Sequence, residues 1–240
     1  NNNTHAYQSL DDLLSVCDAI SIATPAFSHF DIAIRAIKKN CHLFIEKPLT
    51  TSISNAEKII RKAKIKNLFI QVGHIERFNP VFTSFIVKNK NCNPRFIEAH
   101  RLTPFNVRGT DVDVVLDLMI HDIDLMLCLV QDSIKHISAT GVKILTQSTD
   151  LANARIEFTK GCVANLTASR ISVKQMRKLR VFESKHYSSL DLQNYKLDSY
   201  VVSGSVNDKS TLNNNIVHLE SETIPQGNAL YQELVSFINS

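Results

Sequence analysis

The sequence predicts an α/β protein built in two parts: a parallel sheet with helical crossovers, followed by an α+β domain with a mostly antiparallel sheet. Up to about residue 75, short apolar runs alternate with amphipathic helical patterns, and the joins between them are short. This order is typical of right-handed parallel crossovers. From about residue 135, strand patterns follow one another with turns between them, as in an antiparallel sheet. We therefore expect two domains, 1–75 and 76–240.

The first part alternates helices with strands, and each strand ends abruptly in a polar motif. In chain order we predict a helix at 10–14 capped by Ser9, a strand at 19–23, a helix at 29–39, a strand at 42–45, a helix from a cap at 51 or 52 to 66, and a strand at 68–72. The strand ends run into Thr24-Pro25, Glu46-Lys47-Pro48 and Gly73-His74. Ligands of open parallel sheets bind outside the carboxyl ends of the strands, so these three motifs locate a candidate site.

The second part changes its pattern after His74. We predict helices at 80–90 and 113–130, and strands at 95–101, 136–144, 152–158, 162–169, 178–183, 188–192 and 217–222. The turn that ends in Gly161-Cys162 is typical of a hairpin with glycine in the left-handed region. Residues 207–215 are polar and predict a loop.

Composition excludes several classes of function. The 240 residues are 44% hydrophobic and 21% charged, and the net charge of +4 is scattered, which argues against a nucleic-acid partner. Five cysteines lie far apart inside mostly apolar runs, which favours buried, reduced thiols in the cytoplasm. The apolar segment 114–130 contains Asp117, His121, Asp122 and Asp124 and so is not a membrane span. We expect no metal site, because the sequence contains no His-x-x-x-His motif and no cysteine cluster.

Four motifs in order carry a resemblance to a known family. They are Ser21-Ile-Ala-Thr-Pro25 followed by His29, Glu46-Lys47-Pro48, Gly73-His74 with Arg77-Phe78, and Asp117-x-x-x-His121 followed by Asp124. In this order the sequence resembles the Gfo/Idh/MocA family of nicotinamide-dependent oxidoreductases. The stretches 73–80 and 169–182 are similar to the branch that oxidises UDP-N-acetylglucosamine at its 3-position. The resemblance implies a partial Rossmann-like sheet, NAD or NADP as cofactor, a sugar or nucleotide-sugar substrate, and a homo-oligomer formed through the sheet of the second domain.

Three residues are candidates for the chemistry. The resemblance implies that a cis peptide bond orients Lys47 toward the nicotinamide. There Lys47 would accept or share the proton of a sugar hydroxyl. Asp117 and His121 are four apart on a predicted helix, so the carboxylate can fix the tautomer of the imidazole. The alternatives are a surface lysine and a buried polar pair that satisfies its own hydrogen bonds. We expect the three side chains to converge in one cleft between the two parts.

The remaining candidates are binding residues. The resemblance implies that the cofactor is contacted by Thr24, Pro25, Ser28, His29, Glu46 and Lys47, and the substrate by Arg77, Asn79 and Arg101. Ser28 can also cap the helix that follows it. For Arg77 the alternative is a salt bridge to Glu76 or Glu98. We expect Asp122 to be solvated, and Asp124 to cap or pair locally.

One feature of the family has no counterpart in this sequence. Members open with a strand, a glycine-rich loop and a helix that hold the pyrophosphate, whereas the six glycines here are isolated from one another. We therefore expect a fragment of a longer enzyme that alone binds a dinucleotide poorly. The choice between NAD and NADP depends on that segment. The alternative functions are a dehydrogenase of another sugar or a cyclitol, and a non-catalytic relative that senses a nucleotide or sugar.

Overall fold

The computed structural model describes residues 5–106, 112–202 and 217–240. The chain divides into two compact units: the first comprises residues up to His74 together with Tyr231–Ser240, and the second comprises Ile75–Leu230. From the sequence we expected all of 76–240 in the second domain. Residues Tyr231–Ser240 instead belong to the first unit. The polar loop expected at 207–215 lies outside the described residues.

The first unit contains a three-stranded parallel sheet in the order β1-β2-β3. Its elements are α1 (Leu10–Leu14), β1 (Ala19–Ile22), α2 (His29–Lys38), β2 (His42–Glu46), α3 (Ile53–Ile65) and β3 (Ile70–Gly73). The side chain of Ser9 caps α1, as predicted, by accepting from the backbone N–H of Asp11 at 3.2 Å. The central strand is buried on both faces at Leu43, Phe44 and Ile45, which explains its uninterrupted apolar run.

The second unit contains an eight-stranded sheet. Among the described strands of this sheet, β4 and β7 form the one parallel pair. Its strands are β4 (Phe96–Leu102), β5 (Ile134–Val142), β6 (Leu151–Phe158), β7 (Val163–Ser169), β8 (Met176–Glu183), β9 (His186–Asp191), β10 (Lys196–Val202) and β11 (Val217–Thr223). They lie in the order β11-β10-β9-β8-β4-β7-β6-β5. The sequence did not predict β10, because Asp198-Ser199 interrupts the apolar alternation of this segment; the strand is fixed by its ladders to β9 and β11.

The helical segments of this unit that matter for the site are a 3-10 turn (Ile75–Phe78), α4 (Pro80–Lys88), a π-helical turn (Val115–Met119) and α5 (Ile120–Leu129). The sequence predicted one regular helix over 113–130, so the π turn is a correction. The Asp113 side chain caps this segment by accepting from the N–H groups of Val115 and Leu116, each at 3.0 Å. Single π turns inside helices are frequent at functional sites.

The C-terminal helix α6 (Ala229–Ile238) packs on the first sheet. The ring of Phe237 lies 5.7 Å from that of Phe44 and 5.9 Å from that of Phe69. The side chain of Gln71 in β3 donates to the carbonyl of Glu233 at 3.2 Å. These contacts explain why the C-terminal helix belongs to the same unit as the parallel sheet.

The predicted glycine turn is confirmed, whereas the burial predicted for the cysteines holds for only two of them. Gly161 has a φ of 94°, in the region that favours glycine, and its N–H donates to the carbonyl of Phe158 at 3.1 Å. All five cysteines are free; Cys41 and Cys162 are buried, and the other three are half-buried.

Among the described residues, no helix combines the length and apolarity needed to cross a bilayer. Within the same ranges, no cluster of three or more His, Cys, Asp or Glu side chains is arranged to hold a metal ion.

Asp150 closes the turn before β6 and makes the stability of the second unit depend on pH. The fully buried carboxylate accepts from the backbone N–H groups of Ile144, Leu145 and Thr146 at 2.7–2.8 Å, and from the Thr146 hydroxyl at 2.6 Å. Burial acts to raise the pKa of Asp150, but the hydrogen bonds from Thr146, Ile144 and Leu145 outweigh it and hold the pKa well below its usual range.

We expect the contribution of Asp150 to be complete above pH 4, roughly the unfolded-state pKa, and to be lost as the pH falls further toward the lowered folded-state pKa. Asp150→Asn should therefore reduce the free energy of unfolding at pH 7 and flatten its decline in acid. Urea unfolding between pH 3 and pH 7 measures both. Parallel profiles for the two proteins would contradict this role.

Candidate functional site

The polar motifs of the first unit lie together at one edge of its sheet. In the parallel register, Ile22 of β1 pairs with Ile45 of β2, and Glu46 of β2 pairs with Gly73 of β3. The carboxyl ends of the three strands are therefore adjacent. The turns that begin at Thr24, Lys47 and His74 follow these ends, as the sequence predicted.

The end of β2 is packed against the end of β3 through Glu46. A Cβ atom on Gly73 would lie 2.9 Å from Glu46 Oε2 and 3.2 Å from Glu46 Cα, so a larger residue at this position would require Glu46 to shift. The backbone N–H of Lys47 donates to Glu46 Oε2 at 3.3 Å. Glu46 and Lys47 are both half-buried, and the peptide bond between Lys47 and Pro48 is cis, as the resemblance implied.

The end of β1 carries two short hydroxyl side chains. Thr24 Oγ1 and Ser28 Oγ lie 2.7 Å apart, and the Ser28 hydroxyl donates to the carbonyl of Pro25 at 2.8 Å. Because the Ser28 hydroxyl proton is committed to Pro25, Thr24 is the donor of the pair. The Ser28 side chain makes no capping hydrogen bond to α2, so the capping role considered for it is wrong. Thr24 and Pro25 are exposed and available to a ligand.

His29 was expected to contact a cofactor, but its side chain is 1% exposed. Its Nδ1 lies 2.9 Å from the carbonyl oxygen of Pro48, and its Nε2 lies 2.8 Å from that of Thr24. The ring therefore faces the backbone of two turns, and direct contact with a ligand is not supported.

A buried ionic cluster in the second unit surrounds Arg101. This side chain is 2% exposed and donates to both oxygens of Asp122 from Nε at 3.2 and 3.1 Å, and from Nη2 to Asp122 Oδ1 at 2.8 Å. Its Nη1 donates to Glu76 Oε1 at 2.7 Å. Burial acts to lower the pKa of Arg101, but the charges of Asp122 and Glu76 outweigh it, so the guanidinium stays charged.

The cluster extends to two further side chains. Arg177 Nη1 lies 3.7 Å from Glu76 Oε1. Asn79 is 7% exposed; its Nδ2 donates to Glu76 Oε2 at 3.1 Å and to the carbonyl of Leu192 at 3.2 Å, while its Oδ1 caps α4 by accepting from the N–H of Val81 at 3.0 Å. A substrate-binding role for Arg101 and Asn79 is therefore not supported, because both side chains are buried and committed to protein partners.

A second ion pair also joins α5 to the segment that precedes α4. Arg77 donates in a bidentate arrangement to Asp124, from Nε to Oδ2 at 2.7 Å and from Nη2 to Oδ1 at 2.5 Å. The Arg77 side chain is 50% exposed, whereas that of Asp124 is 8% exposed. The hydrogen bonds that Arg77 donates to Asp124 raise the pKa of Arg77. Asp124 was expected to cap or pair locally, but its partner Arg77 lies 47 residues away in sequence. The partner of Arg77 is in turn neither Glu76 nor Glu98, the two acids considered for it from the sequence.

Asp117 and His121 lie where the helix geometry changes. Asp117 is in the π turn and His121 is in the first turn of α5, and both side chains are half-buried. His121 is followed on the same helix by Asp122 and Asp124, and each of these two carboxylates is held by an arginine.

Glu76 and Asp122 are the residues of this cluster that sequence reasoning missed. Asp122 was expected to be solvated, but it is 3% exposed. A signal was available: Met119, Asp122, Met126 and Leu129 follow one another at helical spacing, and all four are buried. An acidic residue within an apolar stripe indicates a buried partner of opposite charge.

Comparisons with known proteins cover most of the chain. A family model described as "Oxidoreductase family, NAD-binding Rossmann fold" matches residues 1–74, and one described as "GFO/IDH/MocA C-terminal domain" matches residues 93–187. The chain is 39% identical over 195 residues to UDP-N-acetylglucosamine 3-dehydrogenase of Acidithiobacillus ferrooxidans, covering 81% of this chain and 62% of that protein. It is 29% identical over 188 residues to scyllo-inositol 2-dehydrogenase (NAD(+)) of Bacillus subtilis, covering 69% of this chain and 52% of that one.

Solved structures agree with these matches. UDP-N-acetylglucosamine 3-dehydrogenase GnnA from A. ferrooxidans superposes with a TM-score of 0.88 at 35% identity, covering 98% of this chain and 73% of that chain. An inositol dehydrogenase homologue from Azotobacter vinelandii, solved with NADH and myo-inositol, shares the fold with a TM-score of 0.73 at 18% identity. The chain thus spans between half and two thirds of the length of the two curated relatives named above.

Proposed function

Because the chain belongs to the Gfo/Idh/MocA family of oxidoreductases, we propose that its protein oxidises a hydroxyl-bearing carbon of a sugar, with UDP-N-acetylglucosamine as the first substrate to test, and transfers the hydride to NAD or NADP. The observation that carries the proposal is the 39% identity to UDP-N-acetylglucosamine 3-dehydrogenase. The likeness of the whole fold to GnnA supports it.

The first unit is proposed to hold the nicotinamide half of the cofactor. Its sheet edge presents the exposed Thr24 and Pro25, the half-buried hydroxyl of Ser28 and the half-buried Glu46 and Lys47. Polar groups at the carboxyl ends of parallel strands are where such folds bind nucleotides, so these residues fit the group. NAD(P), when bound, supplies the hydride acceptor.

Oxidation of a secondary alcohol removes a proton from oxygen and a hydride from carbon. In our proposal Lys47 holds the substrate hydroxyl and accepts its proton. His121 passes this proton on, and Asp117 orients the imidazole. The half-buried state of all three side chains supports this assignment, because a partly dry environment strengthens such interactions while leaving access to a ligand. The remaining sequence candidate for substrate contact is Arg77, whose side chain is half exposed.

A different sugar or a cyclitol is the second candidate substrate. The 29% identity to scyllo-inositol 2-dehydrogenase favours it. A non-catalytic sensing role is less favoured, because Lys47 and His121, the two proposed proton-transfer residues, are both present in the sequence.

Steady-state kinetics test the proposal directly. The full-length protein is mixed with NAD or NADP and, separately, with UDP-N-acetylglucosamine, free N-acetylglucosamine, scyllo-inositol and myo-inositol, while absorbance of the reduced cofactor is followed. We expect turnover with the nucleotide sugar and little with the others. Turnover only with an inositol would replace the substrate assignment, and binding without turnover would favour the sensing role.

We further propose that the protein works in the cytoplasm as a homo-oligomer. The five free thiols support a reducing compartment. One face of the second sheet carries a row of rings from Phe96, Phe182, Tyr187 and Tyr200, with neighbouring centroids 5.8, 4.6 and 5.1 Å apart. Aromatic rows are enriched at interfaces, and a second copy of the chain is the proposed partner.

Sedimentation velocity on the full-length protein tests this association. We expect a dimer or tetramer, and dissociation when Tyr187→Glu places a charge in the middle of the aromatic row. Val173→Glu, at a position 94% exposed outside the sheet, is the matched control and should leave the assembly intact. A monomeric unmodified protein at micromolar concentration would refute the oligomer.

A further inference from the structure

The buried ring of His29 joins the ends of two strands. It lies at the start of α2, and its two nitrogens lie within 2.9 Å of the carbonyl oxygens of Pro48 and Thr24. Thr24 is in the turn after β1, and Pro48 directly follows Lys47 in the turn after β2. One side chain therefore spans two turns that are 24 residues apart in sequence.

The chemistry of the two partners fixes the role of each ring nitrogen. A carbonyl oxygen only accepts hydrogen bonds, so a ring nitrogen that bonds to it must carry a proton. A neutral imidazole has one N–H group, and both bonds form only when both nitrogens are protonated. The charged side chains near these positions in sequence are Asp31 on α2 and Glu46 and Lys47 at the end of β2; the turn after β1 carries none.

His42 provides the opposite case on the same strand. It lies at the amino end of β2, and its Nδ1 accepts from the backbone N–H of Phe69 at 3.0 Å. That nitrogen must be unprotonated, so the His42 ring is neutral while this bond exists.

We propose that His29 is a positioning residue for Lys47: its imidazole donates to the carbonyls of Thr24 and Pro48, and so holds the turn that carries Lys47 against the turn that follows β1. This rests on the proposed function of Lys47. In this role His29 does not contact the cofactor. It acts through the backbone carbonyls of Thr24 and of Pro48, the residue that follows Lys47.

NMR of the full-length protein, labelled with ¹⁵N in the histidine rings, tests the donor pattern without any assay of activity. If His29 makes both hydrogen bonds, its ring shows two protonated nitrogens, whereas His42 shows one protonated and one bare nitrogen. His29→Gln and His42→Gln assign the two signals. A His29 spectrum with one bare nitrogen would overturn the double donation.

Kinetics and hydrogen exchange test whether His29 positions Lys47. For His29→Gln, which keeps one donor, and for His29→Ala, we expect kcat to fall by about 10-fold to 100-fold, the size expected for a small misplacement of a catalytic group, while KM for the sugar changes little. Amide exchange over residues 46–49 should rise in both variants. His42→Gln removes a hydrogen bond at the other end of β2 and should leave kcat and this exchange unchanged.

The outcomes separate the two proposals. If His29→Gln folds and retains both kcat and exchange protection, or if His42→Gln produces the same loss, the positioning role is refuted. If the unmodified protein oxidises none of the sugars, the proposed function fails, and the NMR and exchange results still decide whether His29 joins the two turns. If His29→Ala does not fold, the Gln variant decides.

Discussion

Lys47→Met is expected to reduce kcat for sugar oxidation by about 10²-fold to 10⁴-fold, the range for loss of a positioned general acid or base. Methionine has a similar length and no titratable group, so the variant removes the proton acceptor with little change in volume. Lys47 is half-buried at the end of β2, where its side chain is not needed to fill the core. We therefore expect the fold to change little, so that the loss of kcat reports on the chemistry.

A second variant tests whether the amine of Lys47 is what the reaction needs. In Lys47→Ala, added methylamine should restore part of the lost activity, since a free amine can occupy the vacated space and accept the proton. Lys58→Met, at an exposed position on α3, is the matched control and should leave kcat unchanged. A Lys47→Met enzyme within tenfold of the unmodified kcat would refute the role, whichever sugar proves to be the substrate.

Arg101→Met is expected to lower the free energy of unfolding of the second unit by about 3–5 kcal/mol. It leaves the buried carboxylate of Asp122 without its arginine and leaves Glu76 with only the more distant Arg177, 3.7 Å away. Arg101, Asp122 and Glu76 are each no more than 5% exposed, and Arg101 contributes a hydrogen bond to both acids. The same change should lower kcat beyond its effect on stability, since Asp122 is the residue after His121 and its anchoring fixes the first turn of α5.

Urea unfolding measures this loss, with separate transitions fitted if the two units unfold independently. Lys88→Met is the matched control: it breaks an ion pair with Glu222 in the same unit, but both partners are about half exposed, so about 0–1 kcal/mol is expected. Replacing Arg101, Asp122 and Glu76 together with apolar residues should cost less than Arg101→Met alone, because no charge is then left buried. Equal costs for Arg101→Met and Lys88→Met would contradict the buried cluster.

Two differences between sequence and structure have a common cause. The apolar alternation of β10 is interrupted at Asp198-Ser199, and the strand is fixed by its two neighbours in the sheet. The π turn at Val115–Met119 interrupts a segment whose apolar spacing is compatible with a regular helix. In both cases the local pattern is weak or ambiguous, and the deciding contacts come from other elements. Long, strongly periodic segments such as α2 were predicted to within one residue because their own spacing specifies them.

The sequence alone determined the parallel and antiparallel parts, the three strand ends and their polar motifs, and the family resemblance, because apolar spacing, turn residues and short motifs are local properties of the chain. Only the tertiary structure decided which charges are paired. Arg101 meets Asp122 and Glu76, Arg77 meets Asp124, and His29 meets two carbonyls, each across a separation that local spacing does not encode. Burial then decides the role, since a charged or polar group removed from water must find its partner within the protein.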